Sequence, residues 1–214
     1  MKKFILLSAL AICALISLNS CSSCSNKENT PSANNVTLAK GELIAENIIS
    51  SDREYMFLNY GGDYRWFETC IVLNDWLDSE DNDGSIAGIS NVFQVVKWEG
   101  SSADTYVILI AHSENADTID IKNGFWIEDF PLEKDSIKLT YRDAFEKVME
   151  VNAPKPHSKH CILRKPIGPK DCNPQWVFGN IQDQLWVDAV TGEVKDSNPA
   201  FEGFGFKMPL GEWP

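Results

Sequence analysis

The sequence of 214 residues lacks the short motifs by which many enzymes are recognised. It contains no G-x-S-x-G, H-E-x-x-H, P-loop or G-x-G-x-x-G pattern. Histidine, the side chain best suited to act as a base near neutral pH, occurs only as His112, His157 and His160. Ser113 follows His112, but adjacency in sequence does not make a nucleophile and its base. We therefore predict that the chain is not an enzyme.

Basic residues are also scarce. The chain has 19 Lys and Arg against 31 Asp and Glu, which gives a formal net charge of −12. A negative field of this kind repels nucleic acids and anionic lipid surfaces. We expect no nucleic-acid partner, and the charge favours either simple solubility or cationic partners.

No apolar run is long enough for a permanent transmembrane helix. The run Phe4–Ile16 has about 13 residues, short of the ~20 that span a bilayer. Because a Lys-Lys pair precedes it, residues 1–20 are predicted to be a secretory signal peptide. Leu18, Ser20 and Cys21 resemble the lipobox of bacterial lipoproteins, which implies that Cys21 becomes the lipid-modified first residue of the mature chain. The alternative is an ordinary signal peptide with an incidental cysteine.

A lipid at Cys21 would anchor the chain to a membrane without spanning it. Residues 21–38 are rich in Ser and Asn and poor in apolar side chains, so they are predicted to be a flexible tether. We predict an exported protein attached to the outer membrane, on its periplasmic or cell-surface face. Its partners are then the membrane, through the anchor, and as a candidate an extracellular or periplasmic protein or glycan.

Residues 39–132 are predicted to form a first α+β unit. Ser51 and Glu54 match a capping box, which places the start of a short helix at Ser51. The apolar pattern changes to that of a strand at Tyr64. Further strand candidates follow at residues 92–98, 105–111 and 118–127. Because the connections are short, these strands are expected to be antiparallel.

Residues 133–199 repeat this order as a second unit. Thr140 and Asp143 predict a capped helix whose apolar positions follow one face, namely Tyr141, Ala144, Phe145, Val148 and Met149. A strand at 160–164 and a hairpin at 176–190 follow. The predicted fold class is therefore α+β, with helices packed on antiparallel sheet in two successive units. Whether the two halves form one sheet or two stays open.

The second unit also carries a family resemblance. Leu139 to Val194 combines the capped helix with strands that end in Val187-Asp188-Ala189-Val190-Thr191-Gly192-Glu193-Val194. This segment resembles a PepSY-type domain, in which such a strand end recurs. The resemblance implies a PepSY-like or cystatin-like helix on a sheet and, in some members, inhibition of secreted peptidases, but no catalysis. The whole chain resembles small lipoproteins of Bacteroidetes-type bacteria.

Within the resembling segment, Asp188 and Gly192 have a structural explanation. The Asp188 carboxylate can accept hydrogen bonds from turn N–H groups two or three residues on, and Gly192 can take the positive φ that such a turn needs. We expect both residues to shape the turn and to take no part in catalysis.

Two cysteines flank the loop before the hairpin. Export makes a disulfide between Cys161 and Cys172 the expected pairing. The alternative is a zinc site that combines them with His157 and His160, although the H-x-x-H-C spacing is not typical of zinc proteins. A zinc ligand at Cys161 would exclude the disulfide.

The acidic loop after the first strand partly matches a calcium-binding pattern. Asp78, Asp81 and Asp83 are candidate oxygen ligands, followed by Gly84. Ser90 occupies the twelfth position, where a bidentate Glu belongs, so the match predicts at most weak calcium binding and otherwise no cofactor. A solvated acidic loop is the alternative.

Aromatic side chains near loops are candidates for ligand contacts. Trp76 and Trp176 lie next to predicted loops, so they are better placed for a sugar or peptide contact than tryptophans within strands. Residues 200–214 form an aromatic tail that is expected to pack on the core or, alternatively, to expose a binding patch.

Together these features predict a cell-envelope lipoprotein that acts as a non-catalytic binding or structural module. An inhibitor of secreted peptidases is the first alternative. A metal-dependent hydrolase that uses the cluster from His157 to Cys172 is the second.

Overall fold

In a computed structural model, residues 43–99 and 102–203 are described, and they belong to one compact unit. The predicted signal peptide, the predicted lipidation site Cys21, the predicted tether and residues 204–214 of the aromatic tail lie outside the described residues. No helix in the described part is long and apolar enough to cross a membrane.

The described chain has two α-helices and nine β-strands. The helices are α1 (Ala45–Tyr60) and α2 (Tyr141–Glu150). The strands are β1 (Tyr64–Leu73), β2 (Ile86–Glu99), β3 (Ser102–Ser113), β4 (Asp117–Asn123), β5 (Asp129–Phe130), β6 (His160–Pro166), β7 (Gln175–Gly179), β8 (Gln184–Asp188) and β9 (Val194–Lys195). Short 3₁₀ turns occupy Lys134–Ser136 and Pro199–Phe201.

All nine strands belong to one antiparallel sheet. Its order is β4-β3-β2-β1-β6-β7-β8-β9, and the short β5 pairs with the end of β6. Strands β1 to β4 form one meander and β6 to β9 another, and they meet where Ile71 of β1 lies opposite Cys161 of β6. The question of one sheet or two is thereby answered in favour of one.

Both helices cover the same face of this sheet. Asp52 of α1 is hydrogen-bonded to Asn91 of β2, and Asn91 lies opposite Thr69 of β1. Thr69 lies opposite Leu163, which in turn lies opposite Trp176 beneath α2. Because directly opposite residues point to the same face, the core lies between this face and the two helices. The predicted α+β class with helices on antiparallel sheet is confirmed.

The start of α2 is as predicted, whereas α1 begins earlier than predicted. Thr140 and Asp143 form a full capping box at the start of α2. Helix α1 begins at Ala45, so Ser51 lies inside it, and its N-cap residue Ile44 makes no side-chain capping bond. The buried face of α1 includes the charged Asp52, which interrupts the apolar pattern by which a helix is recognised in sequence.

After β4 the chain crosses the other face of the sheet. The predicted strand 118–127 ends at Asn123. The backbone N–H of Trp126 then donates to Gln94 Oε1 at 2.8 Å, and Arg164 Nε donates to Asp129 Oδ1 at 2.7 Å. Burial raises the pKa of Asp129 to about 6, although the Arg164 charge acts in the opposite direction. This crossing segment connects the β4 edge to the centre of the sheet.

Candidate functional site

The expected disulfide between Cys161 and Cys172 is wrong, because both are free thiols. Cys161 lies in β6 opposite Phe178 of β7, whereas Cys172 precedes β7. If the same register is extended, Cys172 lies opposite residue 167. Residue 167 is six residues after Cys161, or about 20 Å away at ~3.3 Å per residue. A disulfide needs Cα atoms within about 7 Å of each other. Burial raises the pKa of the Cys161 thiol well above its ordinary value.

The candidate zinc ligands are not brought together either. Adjacent residues of a strand point to opposite faces, so His160 and Cys161 diverge. His157 Nδ1 instead lies 2.9 Å from Asp78 Oδ2. Among residues 43–99 and 102–203 there is no group of three or more His, Cys, Asp or Glu side chains that could hold a metal ion.

The three candidate calcium ligands have separate roles in the acidic loop. The Asp83 carboxylate accepts a hydrogen bond from the Ser85 N–H at 2.9 Å, and hydrogen bonds to Ser85 lower the pKa of Asp83. Asp78 is held by His157, and Asp81 is exposed. The loop carbonyls of Asp83 and Gly84 accept hydrogen bonds from α2, through the Arg142 guanidinium and the Tyr141 hydroxyl. These contacts attach the loop to the helix.

Trp176 is a core residue and no longer a binding candidate. It is 1% exposed, and its indole N–H donates to the Leu139 carbonyl at 3.2 Å. Its ring lies edge-on to the Tyr141 ring, with 6.0 Å between centroids.

Trp76, in contrast, is 45% exposed and belongs to a surface cluster. Its ring stacks on the His157 imidazole, with centroids 4.1 Å apart and planes 6° from parallel. The Lys159 ammonium lies 5.6 Å from the centroid of the indole ring, and Asp78 holds His157 in place. We call Trp76, Asp78, His157 and Lys159 the Trp76 cluster.

Two loops at the same end of the central strands position the Trp76 cluster. The β1–β2 loop carries Trp76, and the α2–β6 loop carries His157. Backbone hydrogen bonds join the loops, from the Leu73 N–H to the Lys159 carbonyl at 2.7 Å and from the Leu77 N–H to the Ser158 carbonyl at 2.8 Å. Since the Leu77 side chain is fully buried, the loop that carries Trp76 is fixed to the core.

This arrangement offers two stacked aromatic rings with charged groups close to them. The His157 side chain is 68% exposed, so the ring that extends the indole stack is accessible to a ligand. Aromatic stacking combined with a few hydrogen-bonding side chains suits recognition of a planar or ring-shaped ligand. Sequence reasoning found Trp76 from its position near a loop. The sequence does not predict the stacking of Trp76 on His157, because the two residues are far apart in the chain and no local pattern signals the contact.

A second polar cluster extends from Asp117 at the surface to the interior under α1. His112 Nε2 is 2.9 Å from Asp52 Oδ1, and His112 Nδ1 is 2.8 Å from Asp117 Oδ1. Asn91 donates to Asp52 Oδ2 at 2.7 Å, and the Thr69 hydroxyl donates to Asn91. We call these five residues the buried polar network.

The network favours a protonated His112. Burial by itself would lower the pKa of His112, but the hydrogen bonds and charges of Asp52 and Asp117 outweigh that effect and raise it. Asp52, Asn91 and Thr69 are at most 3% exposed, so the inner end of the network is closed to ligands. Its role is to hold α1 on the sheet. Sequence reasoning missed it because Asp52 and His112 belong to separate elements.

The turn after β8 has the chemistry expected for it. The Asp188 carboxylate accepts hydrogen bonds from the N–H groups of Val190 and Thr191, both at 2.9 Å. Gly192 has a φ of 76°. An open cavity of about 230 Å³ beside this turn is lined in part by Lys170 and Lys195, which both form ion pairs with Glu202.

Comparison with protein-family models, with curated proteins and with solved structures finds no match to this chain. The function is therefore inferred from the chain's own residues and their geometry.

Proposed function

We propose that this chain is an exported, lipid-anchored and non-catalytic binding module of the cell envelope, and that the Trp76 cluster is its ligand site. The basic and apolar leader and the lipobox-like residues up to Cys21 support export and anchoring. The order of helix and meander, which occurs twice along the chain, supports two related units, of which the second is PepSY-like.

The observation that carries the proposal is the parallel stack of the Trp76 and His157 rings. A tryptophan that is nearly half exposed leaves apolar area in water, and here two loops joined by backbone bonds hold it in one orientation. A rigid site loses little conformational entropy when a ligand binds, which favours affinity. The exposed side of the stack is therefore the best-prepared ligand surface in the described part of the chain.

The polar groups beside the stack favour a carbohydrate. Sugar rings present C–H groups to an aromatic face and hydroxyls to neighbouring polar side chains. The Lys159 ammonium lies over the Trp76 ring and the Asp78 carboxylate is bonded to His157, so both charged groups are close to the stack. The net charge of −12 opposes polyanionic chains. We therefore propose a neutral glycan as the ligand class.

The use of the histidines supports a non-catalytic role. Both ring nitrogens of His112 lie within hydrogen-bonding distance of carboxylates, Nε2 of the buried Asp52 and Nδ1 of the exposed Asp117. His157 is bound to Asp78 through Nδ1. The serines that follow these histidines are bonded elsewhere, since the Ser113 hydroxyl donates to the Ala116 carbonyl and the Ser158 hydroxyl accepts from the His160 N–H. A serine nucleophile would instead be hydrogen-bonded to its base.

The test is affinity electrophoresis of the mature chain, released from the membrane by Cys21→Ser. Each native gel contains one polysaccharide. Three gels hold a neutral one, namely a β-glucan, a mannan or a xylan, and a fourth holds the polyanion pectate. We expect at least one neutral polysaccharide to retard the chain. Trp76→Ala should lower the affinity for that polysaccharide about tenfold or more, because the stacking surface is lost.

Phe57→Ala is the matched control, since Phe57 is an aromatic residue of α1 that is 61% exposed. It should bind as the parent chain does. Equal binding by the Trp76→Ala and Phe57→Ala variants, or no retardation in any gel, would contradict the proposal.

A further inference from the structure

Strand β4 forms an open edge of the sheet. All seven of its residues are exposed, and β3 is the only described strand with which it pairs. The opposite edge is different, because β9 has only two residues and Lys195 is ion-paired there with Glu193 and Glu202. Long, exposed edge strands can add a further strand, and short, charged ones resist it.

The backbone groups of β4 that face outward follow from its hydrogen bonds to β3. The Gly124 N–H donates to the Thr105 carbonyl at 3.0 Å, and the Ser113 N–H donates to the Ala116 carbonyl at 3.1 Å. In an antiparallel ladder, alternate residues bond to the same neighbour. The backbone groups of the even-numbered residues of β4 therefore bond to β3. The odd-numbered residues present their N–H and C=O groups to the free edge, and they are Asp117, Ile119, Ile121 and Asn123.

Apolar side chains are concentrated along the same edge. Ile119 and Ile121 are 40% and 41% exposed on the face that carries the helices, beside buried Ile110 and Ile108 of β3. Phe125 and Ile127, just after the strand, are 69% and 73% exposed. An open strand edge combined with exposed apolar side chains is typical of a surface that pairs with another chain.

We infer that β4 pairs with β4 of a second copy of this chain, antiparallel and with Ile121 at the twofold axis. The sheet then runs continuously through two molecules, with the helices of both on one side. In a symmetric pair of this kind, one residue of β4 lies at the twofold axis opposite its own copy, so that paired residues point to the same face. The candidates near the middle of the strand are Ile119, Asp120 and Ile121.

Charge selects among these registers. A centre at Asp120 places two carboxylates directly opposite each other, which is unfavourable. A centre at Ile119 places Asp117 opposite Ile121. The centre at Ile121 places Asp120 of each chain opposite Lys122 of the other.

Backbone geometry agrees with the register centred on Ile121. In it, Ile121 faces its own copy and Ile119 faces Asn123, and all three residues present free N–H and C=O groups. Within one chain Lys122 Nζ lies 2.9 Å from Asp120 Oδ2, and both side chains are about half exposed or more. They can therefore exchange partners across the interface without leaving a buried charge.

The test is sedimentation velocity of the full mature chain carrying Cys21→Ser, over a range from about 1 to about 200 μM, on the scale of weak specific association. We expect a concentration-dependent dimer. Asp120→Lys and Lys122→Asp should each weaken it roughly tenfold or more, because two attractive pairs become repulsive. A mixture of the two variants should form a heterodimer, since each lysine pair then meets an aspartate pair, and the double exchange should dimerise as the parent does.

Two further variants test the backbone pairing and its specificity. Ile121→Pro removes an outward N–H without removing a bond to β3, so it should abolish the dimer while the thermal melt stays cooperative. Asp171→Lys reverses a charge outside β4, at a side chain that is 82% exposed, and should leave the dimer intact. A parent chain that stays monomeric at 200 μM, or single variants that dimerise as the parent does, would overturn the inference.

Discussion

The two halves of the sheet use the same arrangement of helix over meander but different chemistry between them. Under α1 the contact includes the charged Asp52, which is bound to His112 and Asn91. Under α2 it is aromatic, since the rings of Tyr141, Phe145, Trp176 and Phe178 lie with centroids 6.0 to 6.4 Å apart. One half depends on protonation and hydrogen bonds, and the other on the area of apolar surface removed from water.

The difference shows that one architecture can be stabilised in two ways. Burial of an aromatic side chain stabilises the fold at any pH, and its contribution grows with area. A buried ion pair contributes little net stability but becomes costly when one partner is removed. We therefore expect the α2 half to supply most of the stability, and the α1 half to make that stability depend on pH.

The largest effect is expected from Phe178→Ala, which breaks the aromatic half. Phe178 is fully buried between Tyr141 and Phe145, so the change removes apolar contacts and leaves a cavity. The free energy of unfolding should fall by about 3 to 5 kcal/mol. Urea denaturation at pH 6 and at pH 8 should give the same loss, because burial holds the pKa of the Cys161 thiol, which lies opposite Phe178, well above this range.

Phe57→Ala, at an exposed phenylalanine, provides the control and should change the free energy of unfolding by less than about 0.5 kcal/mol. A loss for Phe178→Ala that differed strongly between the two pH values would remove the proposed contrast between the halves.

A smaller effect is expected from Asp52→Asn, which breaks the polar half. The carboxylate accepts from Asn91 and lies against His112, and an amide can satisfy both partners only in part. The free energy of unfolding should fall by about 2 kcal/mol at pH 6, the scale of a hydrogen bond to a charged group.

The same half should make stability depend on pH. The pKa of His112 is raised in the folded protein, so folding favours its protonated form. The stabilisation from this histidine is complete below the ordinary pKa of about 6.5, and it is lost as the pH rises through the higher folded value. The free energy of unfolding of the parent chain should therefore decline above pH 6.5.

Two variants show whether the network causes that decline. Urea denaturation between pH 6 and 9 should give a smaller slope for Asp52→Asn, whereas Phe178→Ala should keep the slope of the parent. Identical slopes for the parent and His112→Gln would contradict the assignment to His112.

Local sequence signals were enough for much of the fold. The capping box of Thr140 and Asp143 and the turn at Asp188 involve residues two or three apart, so their chemistry is visible in sequence. The antiparallel meanders followed from short connections. The start of α1 was missed because Ile44 provides no capping side chain and Asp52 interrupts the apolar face.

The candidate site was predicted only in part, because its contacts are long-range. Exposure of Trp76 was inferred from its neighbouring loop, but Trp176 has a similar sequence context and is buried under α2. The disulfide was inferred from compartment and spacing, and the register of β6 with β7 separates Cys161 from Cys172. Strand register is set by the whole sheet, and this sequence does not show it locally.

The smallest effects concern the helix starts, where the two halves differ again. The Thr140 hydroxyl accepts from the Asp143 N–H at 3.1 Å, so Thr140→Ala should lower the free energy of unfolding by about 1 kcal/mol. Ile44, the N-cap of α1, is 48% exposed and has an extended backbone with φ −106° and ψ 115°. Since that backbone suits a capping serine, Ile44→Ser should raise the free energy of unfolding by roughly 0.5 to 1 kcal/mol. Urea denaturation measures both changes, and a loss from Ile44→Ser as large as that from Thr140→Ala would show that Ile44 contributes apolar packing that outweighs the missing cap.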